Sequence, residues 1–192
     1  VLFRSKTGEL TQRYNIDVTT LVFVIGPRIN AAGRIYDARH AVELLIADDH
    51  TSAHAGSSIV DQHNKERKDL DIKITEHALQ LIQEDVLFYK RKTTVLFHPE
   101  WSKGVIGIVA SRLTEKYYRP TIILTESNGK ATGSARSVKD FDIYNAIESC
   151  SDLLEQFGGH MYAAGLTLSL DNVDKFAERF EQAVASTIDE KL

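Results

Sequence analysis

Four stretches of this chain combine small residues with side chains suited to anions. In Phe157-Gly158-Gly159-His160-Met161-Tyr162-Ala163-Ala164-Gly165, two glycines precede a histidine, and the next three small residues keep the backbone unobstructed. A Gly-Gly turn lets a ligand approach peptide N–H groups. Histidine donates to an anion and changes charge near neutral pH. A plain surface loop has the same composition. In Gly133-Ser134-Ala135-Arg136-Ser137, a strand would project Ser134 and Arg136 from one face. Hydroxyl beside guanidinium makes an oxyanion clamp, or else a polar strand edge. Gly26-Pro27-Arg28-Ile29-Asn30-Ala31-Ala32-Gly33-Arg34 sets two arginines among small residues, and Arg suits bidentate phosphate recognition. The alternative is pairing with local acids such as Asp37. Trp101-Ser102-Lys103-Gly104-Val105-Ile106-Gly107 lies directly before a predicted helix, whose N-terminus favours anions. Gly104 and Gly107 serve close helix–sheet packing equally well.

These pieces need elements to carry them. Residues 1–17 are polar and pattern-free, which predicts a loop or frayed edge. Leu21–Ile25 is a short apolar, β-branched run closed by Gly26-Pro27, which predicts a buried strand. Residues 37–47 read as a short helix, and Asp48-Asp49-His50-Thr51 offers N-cap chemistry for a longer one. From about Thr51 to Glu84 the pattern stays helical, a span of roughly 50 Å. Its two apolar stripes are Leu70, Ile74, Ala78, Leu81 and Ile72, Leu79, Ile82, Val86. The helix is unusually polar between Asp61 and Asp69, as in a connector that bridges two bodies through solvent. His50 and His54 have metal-ligand spacing, but His63 lies about half a turn away and no third ligand joins them, so no metal site is expected here.

After Lys90-Arg91-Lys92 the period changes. Strands are predicted at 93–97, 121–125, 130–138 and 165–170, and helices at 105–118, 143–149 and 173–187, the last capped by Asp171. The fold class is α/β (α+β): a long connecting helix followed by a mixed β-sheet domain flanked by helices.

Composition narrows the class. With 43% hydrophobic and 26% charged residues in 192, the chain reads as globular and soluble. No apolar run approaches the ~18 residues of a membrane span, and Val18–Ile25, the longest candidate, stops at Gly26-Pro27. The net charge of −4 argues against a general DNA coat, yet residues 90–139 hold ten Lys/Arg against three Asp/Glu, a local +7. Residues 140–192 hold three against eleven, a local −8. Such asymmetry focuses an anionic ligand onto one region, although a solvated face of ordinary lysines looks alike. Cys150 is the single cysteine, so an internal disulfide is excluded and a cytoplasmic location is expected. The opening Val1-Leu2-Phe3-Arg4 has neither initiator Met nor a signal-peptide core, and reads as an excised piece.

Taken in order, these motifs are far more specific than any one alone. The Gly26–Arg34 stretch, Asn64 and Arg67 on the long helix, Gly104-Val105-Ile106-Gly107-Ile108-Val109-Ala110-Ser111-Arg112, Arg119-Pro120, the Gly133–Ser137 stretch and the Phe157–Gly165 stretch together closely resemble the RecJ-like single-strand-specific exonucleases of the DHH phosphoesterase superfamily. The match runs from about residue 20 to residue 181. The resemblance implies a bilobed enzyme whose first lobe binds Mn2+ or Mg2+ through motifs absent here, and whose second, DHH-associated lobe binds substrate. Residues 1–48 would end the first lobe, 49–90 connect, and 91–192 form the second.

The resemblance also implies phosphate contacts at Arg28, Arg34, Ser134, Arg136, Gly158 and Gly159, with His160 as the catalytic residue facing the scissile phosphate. Ser102 departs from the pattern, since many relatives carry His there. The expected function is the substrate-binding portion of a 5′→3′ exonuclease in DNA repair and recombination, inactive alone. Its expected partner is single-stranded DNA with a 5′ phosphate, and a single-strand-binding protein is a further candidate. The alternatives are a phosphodiesterase for short oligonucleotides or cyclic dinucleotides, and a non-catalytic single-strand-binding module.

Overall fold

In the computed structural model the described residues are 2–4, 10–12 and 17–188. The chain divides into two compact units, Val1–Asp69 and Leu70–Leu192. The boundary falls inside one long helix.

In the first unit, β1 (Leu2–Arg4) pairs antiparallel with β2 (Leu10–Gln12), where a loop was expected. Asp17 then caps α1 (Val18–Thr20), its carboxylate accepting from the Thr20 amide at 2.6 Å. The predicted strand at Leu21–Ile25 is instead a π-helical turn running into α2 (Gly26–Ile35). The Gly26 amide reaches back to the Leu21 carbonyl, and such a wide turn accommodates Pro27, which cannot donate to the turn before it. Nor is the segment buried: Phe23 is 72% exposed, and Val18, Leu21 and Val22 are exposed too. The physical reason for the difference is that a short apolar run carries no periodicity that separates strand from helix.

Helix α3 (Arg39–Leu45) follows. Asp49 then caps α4 (His50–Glu84, 35 residues), accepting from the Ser52 amide at 2.9 Å and its hydroxyl at 2.6 Å. On the first half of α4, Val60, His63 and Asn64 are buried at helical spacing, with Ala31, Ala32 and Ala41 also buried in this unit. The polar stretch is therefore a partly buried face and not a solvated span.

The second unit opens on the rest of α4 and is built on a five-stranded mixed sheet, ordered β3-β4-β5-β7-β6. Its strands are β3 (Thr94–Phe97), β4 (Thr121–Ser127), β5 (Lys130–Arg136), β6 (Gln156–His160) and β7 (Ala163–Leu168). Only the β3–β4 pair is parallel, joined through α5 (Ile106–Tyr117), and the other pairs are antiparallel. Asn128 and Gly129, both at positive φ, make the tight β4–β5 turn. Helices α6 (Ile143–Glu148) and α7 (Val173–Thr187) complete the unit.

A short 3₁₀ turn, Leu170–Asn172, moves the start of α7, so Asn172 and not Asp171 occupies the cap position. Of the predicted stripes on α4, Ile74, Ala78 and Ile82 are buried, while Ile72 and Val86 are exposed.

Each sheet face has its own cover. On one face Ile122, Leu124, Ala135, Leu166 and Leu168 pack with Ile143 and Ile147 of α6 and with Phe176 and Phe180 of α7. On the other, Ile123 packs with Ile106, Val109, Ala110 and Leu113 of α5 and with Ile74, Ala78 and Ile82 of α4. That second cover reaches across β3 and β4 to the rim of β5, whereas Gly165 of β7 and Gly158 and His160 of β6, on the same face, stay exposed. No helix among the described residues is long and apolar enough to cross a membrane.

Candidate functional site

The pairing register assembles the site. On β5, Ser134 and Arg136 share a face with Ile123, because Ile123 lies opposite Ser134 on β4. Ser134 lies opposite Gly165, which lies opposite Gly158, so these three form one row across β5, β7 and β6. Arg136, Ala163 and His160 form the next row on the same face. A clamp and a histidine thus flank a strip of sheet with almost no side chains. A Cβ at Gly158 would meet nothing within 4 Å, and one at Gly165 only the Gly133 carbonyl oxygen at 3.9 Å. Neighbouring atoms therefore do not require these glycines, and the space above them is open to a ligand.

Ser134 and Arg136 lie side by side, as a strand period of two predicts. Arg136 Nη1 donates to Ser134 Oγ at 3.0 Å and to the Ala135 carbonyl at 2.7 Å. Since Ser134 accepts from the guanidinium, its own O–H remains the donor it can offer an anion. Gly107, in the first turn of α5, closes over this pair: a Cβ there would lie 3.0 Å from Ser134 Oγ and 3.1 Å from Arg136 Nη2. Gly107 thus serves close packing, and what it packs against is the clamp, which puts the positive end of α5 beside Arg136.

The Gly-Gly stretch is not a turn, as the sequence suggested, but edge strand β6 of a hairpin with β7. Glycine is depleted in strands, and it is tolerated here through the pairing with β7. Gly159 points to the face opposite Gly158 and His160, with φ at 155°. A Cβ there would lie 2.3 Å from the Ala163 carbonyl oxygen and 2.5 Å from Ala164 Cα. His160 Nδ1 accepts from the Tyr162 amide at 3.2 Å, which leaves Nε2 as the ring nitrogen able to donate.

Arg28 and Arg34 lie on α2, in the first unit. Arg28 pairs through Nε with Asp61, and its Nη1 donates to the Val24 carbonyl at 2.8 Å. Asp37 engages Arg39 at 3.2 Å. Arg67 donates to buried Asn64 Oδ1 at 2.9 Å. In the second unit, Arg119 is a structural staple: it donates to the Phe88 and Arg91 carbonyls and lies 4.4 Å over the Phe88 ring. Arg112 makes a two-pronged pair with buried Asp71, at 2.9 and 2.7 Å, and this contact raises its pKa. Ser102 contributes its carbonyl, which accepts from Val105 and Ile106 ahead of α5. The rings of His50 and His54 stack 6.3 Å apart. Among the described residues no three His, Cys, Asp or Glu side chains gather as a metal site.

Sequence reasoning missed Gly107 and Gly165 as parts of the same surface. The glycine spacing was visible, but the register that stacks Ser134, Gly165 and Gly158 was not.

The second unit is thus a mixed sheet with a Ser–Arg pair under a helix N-terminus, beside a Gly-Gly-His edge strand. Residues 90–186 match the DHHA1 domain, and the chain belongs to that family. It is 38% identical over 174 residues to the single-stranded-DNA-specific exonuclease RecJ of Bacillus subtilis, covering 90% of this chain and 22% of that protein. With RecJ of Escherichia coli it shares 36% over 181 residues, covering 90% and 31%. The crystal structure of RecJ from Thermus thermophilus in complex with Mg2+ superposes with a TM-score of 0.80 at 35% identity, over 89% of this chain and 26% of that one. An exonuclease RecJ bound to manganese superposes at 0.76 with 34% identity, over 90% and 42%. The chain thus spans between 22% and 31% of the length of the curated relatives it matches.

Proposed function

We propose that this chain is the substrate-binding portion of a single-strand-specific, metal-dependent 5′→3′ DNA exonuclease acting in repair and recombination. In this reading residues 1–48 end a metal-binding lobe, residues 49–90 connect, and residues 91–192 hold the substrate. The observation that carries it is the Ser134–Arg136 pair under Gly107, at the end of an open row of glycines. An anionic phosphoryl oxygen placed there would accept from the guanidinium, from the Ser134 hydroxyl and from His160 Nε2–H. Charge-assisted hydrogen bonds of this kind are each worth about 1.5–3 kcal/mol. His160 would add its donor where charge develops on the phosphoryl group. The open glycine floor would let the sugar–phosphate backbone lie against the sheet.

Mg2+ or Mn2+, present in the solved relatives, would supply the activated water from outside this chain. The isolated chain should therefore bind single strands without hydrolysing them.

Fluorescence anisotropy with labelled oligonucleotides tests the reading. The chain should prefer a 5′-phosphorylated single strand over its 5′-hydroxyl counterpart and over duplex. Arg136→Ala should weaken binding about tenfold or more and flatten the log K against log salt slope by ~0.7, the value of one lost phosphate contact on a single strand. Equal affinity of the variant and the parent would count against the clamp. Hydrolysis by the chain supplied with Mn2+ would remove the inactive-alone prediction.

A further inference from the structure

We propose that Tyr162, at the tip of the β6–β7 hairpin, is a stacking platform for one nucleobase of the bound strand. The proposal rests on the reading of this chain as a single-strand-binding domain and assigns that surface its base contact.

Three observations lead there. Met161 and Tyr162 form the two-residue connection between His160 and Ala163, where glycine, Asn or Asp is the usual choice. Both are exposed, Tyr162 by 48%. A large ring left in solvent at a tight turn contributes little to the core.

The backbone beneath the ring is nevertheless held firmly. The Tyr162 amide donates to His160 Nδ1 at 3.2 Å, its carbonyl accepts from the Ser137 amide at 3.0 Å, and the Met161 carbonyl accepts from Ile143 at 3.1 Å. The platform is thus preorganised, and tyrosine adds contact area at low conformational cost.

The ring also lies beside the row proposed to hold the phosphate. Its centroid is 6.3 Å from that of His160, with 69° between the planes, and His160 shares a row with Arg136 on the open face. In the proposed arrangement a nucleotide whose phosphate sits at Arg136 and His160 lays its base against the Tyr162 ring. Among other aromatics of this unit, Trp101 is buried, Tyr144 lies against Phe157 at 5.7 Å, Tyr89 lies against Phe88, and Tyr118, though exposed, caps the end of α5 opposite Gly107. Because every base has a π-face, the contact would be indifferent to sequence.

The test uses the full 192-residue chain and 5′-phosphorylated oligothymidylate, intact or with a single abasic position at the first or second nucleotide. Tyr162→Ala should weaken binding of the intact strand about tenfold, while Tyr162→Phe should bind like the parent. On the strand that lacks the stacked base, parent and Tyr162→Ala should bind alike. A loss in Tyr162→Ala that is equal on all three strands, or no loss at all while Arg136→Ala loses binding, overturns the stacking role and leaves the phosphate seat standing. Binding by the parent that Arg136→Ala does not weaken overturns the phosphate seat instead, and failure of the parent to bind any of these strands overturns both. Thermal unfolding of each variant, unchanged from the parent, certifies that folding is not the cause.

Discussion

A methyl group added at Gly158 would meet no atom within 4 Å, whereas one added at Gly159 would lie 2.3 Å from a backbone oxygen. The two glycines are therefore present for different reasons. Gly159 allows β6 to approach β7, whereas packing makes no demand at Gly158, whose part in the proposed function is to keep the floor beneath a ligand flat. Gly159→Ala should destabilise the second unit by about 2 kcal/mol, from overpacking against backbone that cannot yield. Gly158→Ala should leave denaturant unfolding within about 1 kcal/mol of the parent, and a bulkier Gly158→Val should still weaken oligonucleotide binding. Identical unfolding midpoints for the two alanine variants would show that the neighbouring glycines are not specialised. At this scale much was visible beforehand: the Ser134–Arg136 pairing follows from a strand period of two. The division of labour between Gly158 and Gly159 was not visible, because it depends on which face each presents.

Among the elements, α5 and the β6–β7 hairpin do the positioning. Helix α5 brings Gly107 onto the clamp, and it is anchored from below by Thr125, whose hydroxyl donates to the Trp101 carbonyl at 2.6 Å. On the opposite face, α7 carries Phe176 and Phe180, fully buried with ring centroids 5.8 Å apart. Phe180→Ala should cost about 3–5 kcal/mol of stability by urea titration. It should leave the oligonucleotide affinity of the protein that remains folded near the parent value, because the clamp lies on the other side of the sheet. A large loss of affinity in that folded protein would mean that the two faces are coupled. Helices with strong periodicity, such as α5 and α7, were readable from sequence almost to their ends. The apolar run at Leu21–Ile25 was not, since five residues fit a strand or a helical turn equally well.

Across the whole molecule, charge and burial set the response to conditions. His63 is only 7% exposed, stacked on Tyr36 at 4.1 Å with His40 at 5.3 Å. Burial first, and the charge of His40 second, push its pKa below the usual 6.5. The unfolded chain therefore binds a proton at His63 that the folded chain resists. Stability from this residue is complete above about pH 6.5 and is lost as pH falls below it. The thermal midpoint of the parent should drop between about pH 7.5 and about pH 5.5, and by less in His63→Phe. Parallel curves for the two proteins would remove His63 as the cause. Asp49 and Glu66, whose carboxyls are held below their usual values by hydrogen bonds from Ser52 and Tyr36, titrate at lower pH and do not mimic the effect.

The sequence by itself determined the family, the alternation of strands and helices after residue 90, and the types of residue able to hold a phosphate. These are properties of local periodicity and of side-chain chemistry, and neither requires knowledge of distant neighbours. Tertiary structure alone decided that Gly107, Ser134, Gly165, Gly158 and His160 belong to one surface, and that Gly159 faces away from it. Strand order and register are set by contacts between residues far apart in the chain. A shift of one residue in that pairing would turn Ser134, Gly165, Gly158 and His160 to the other face.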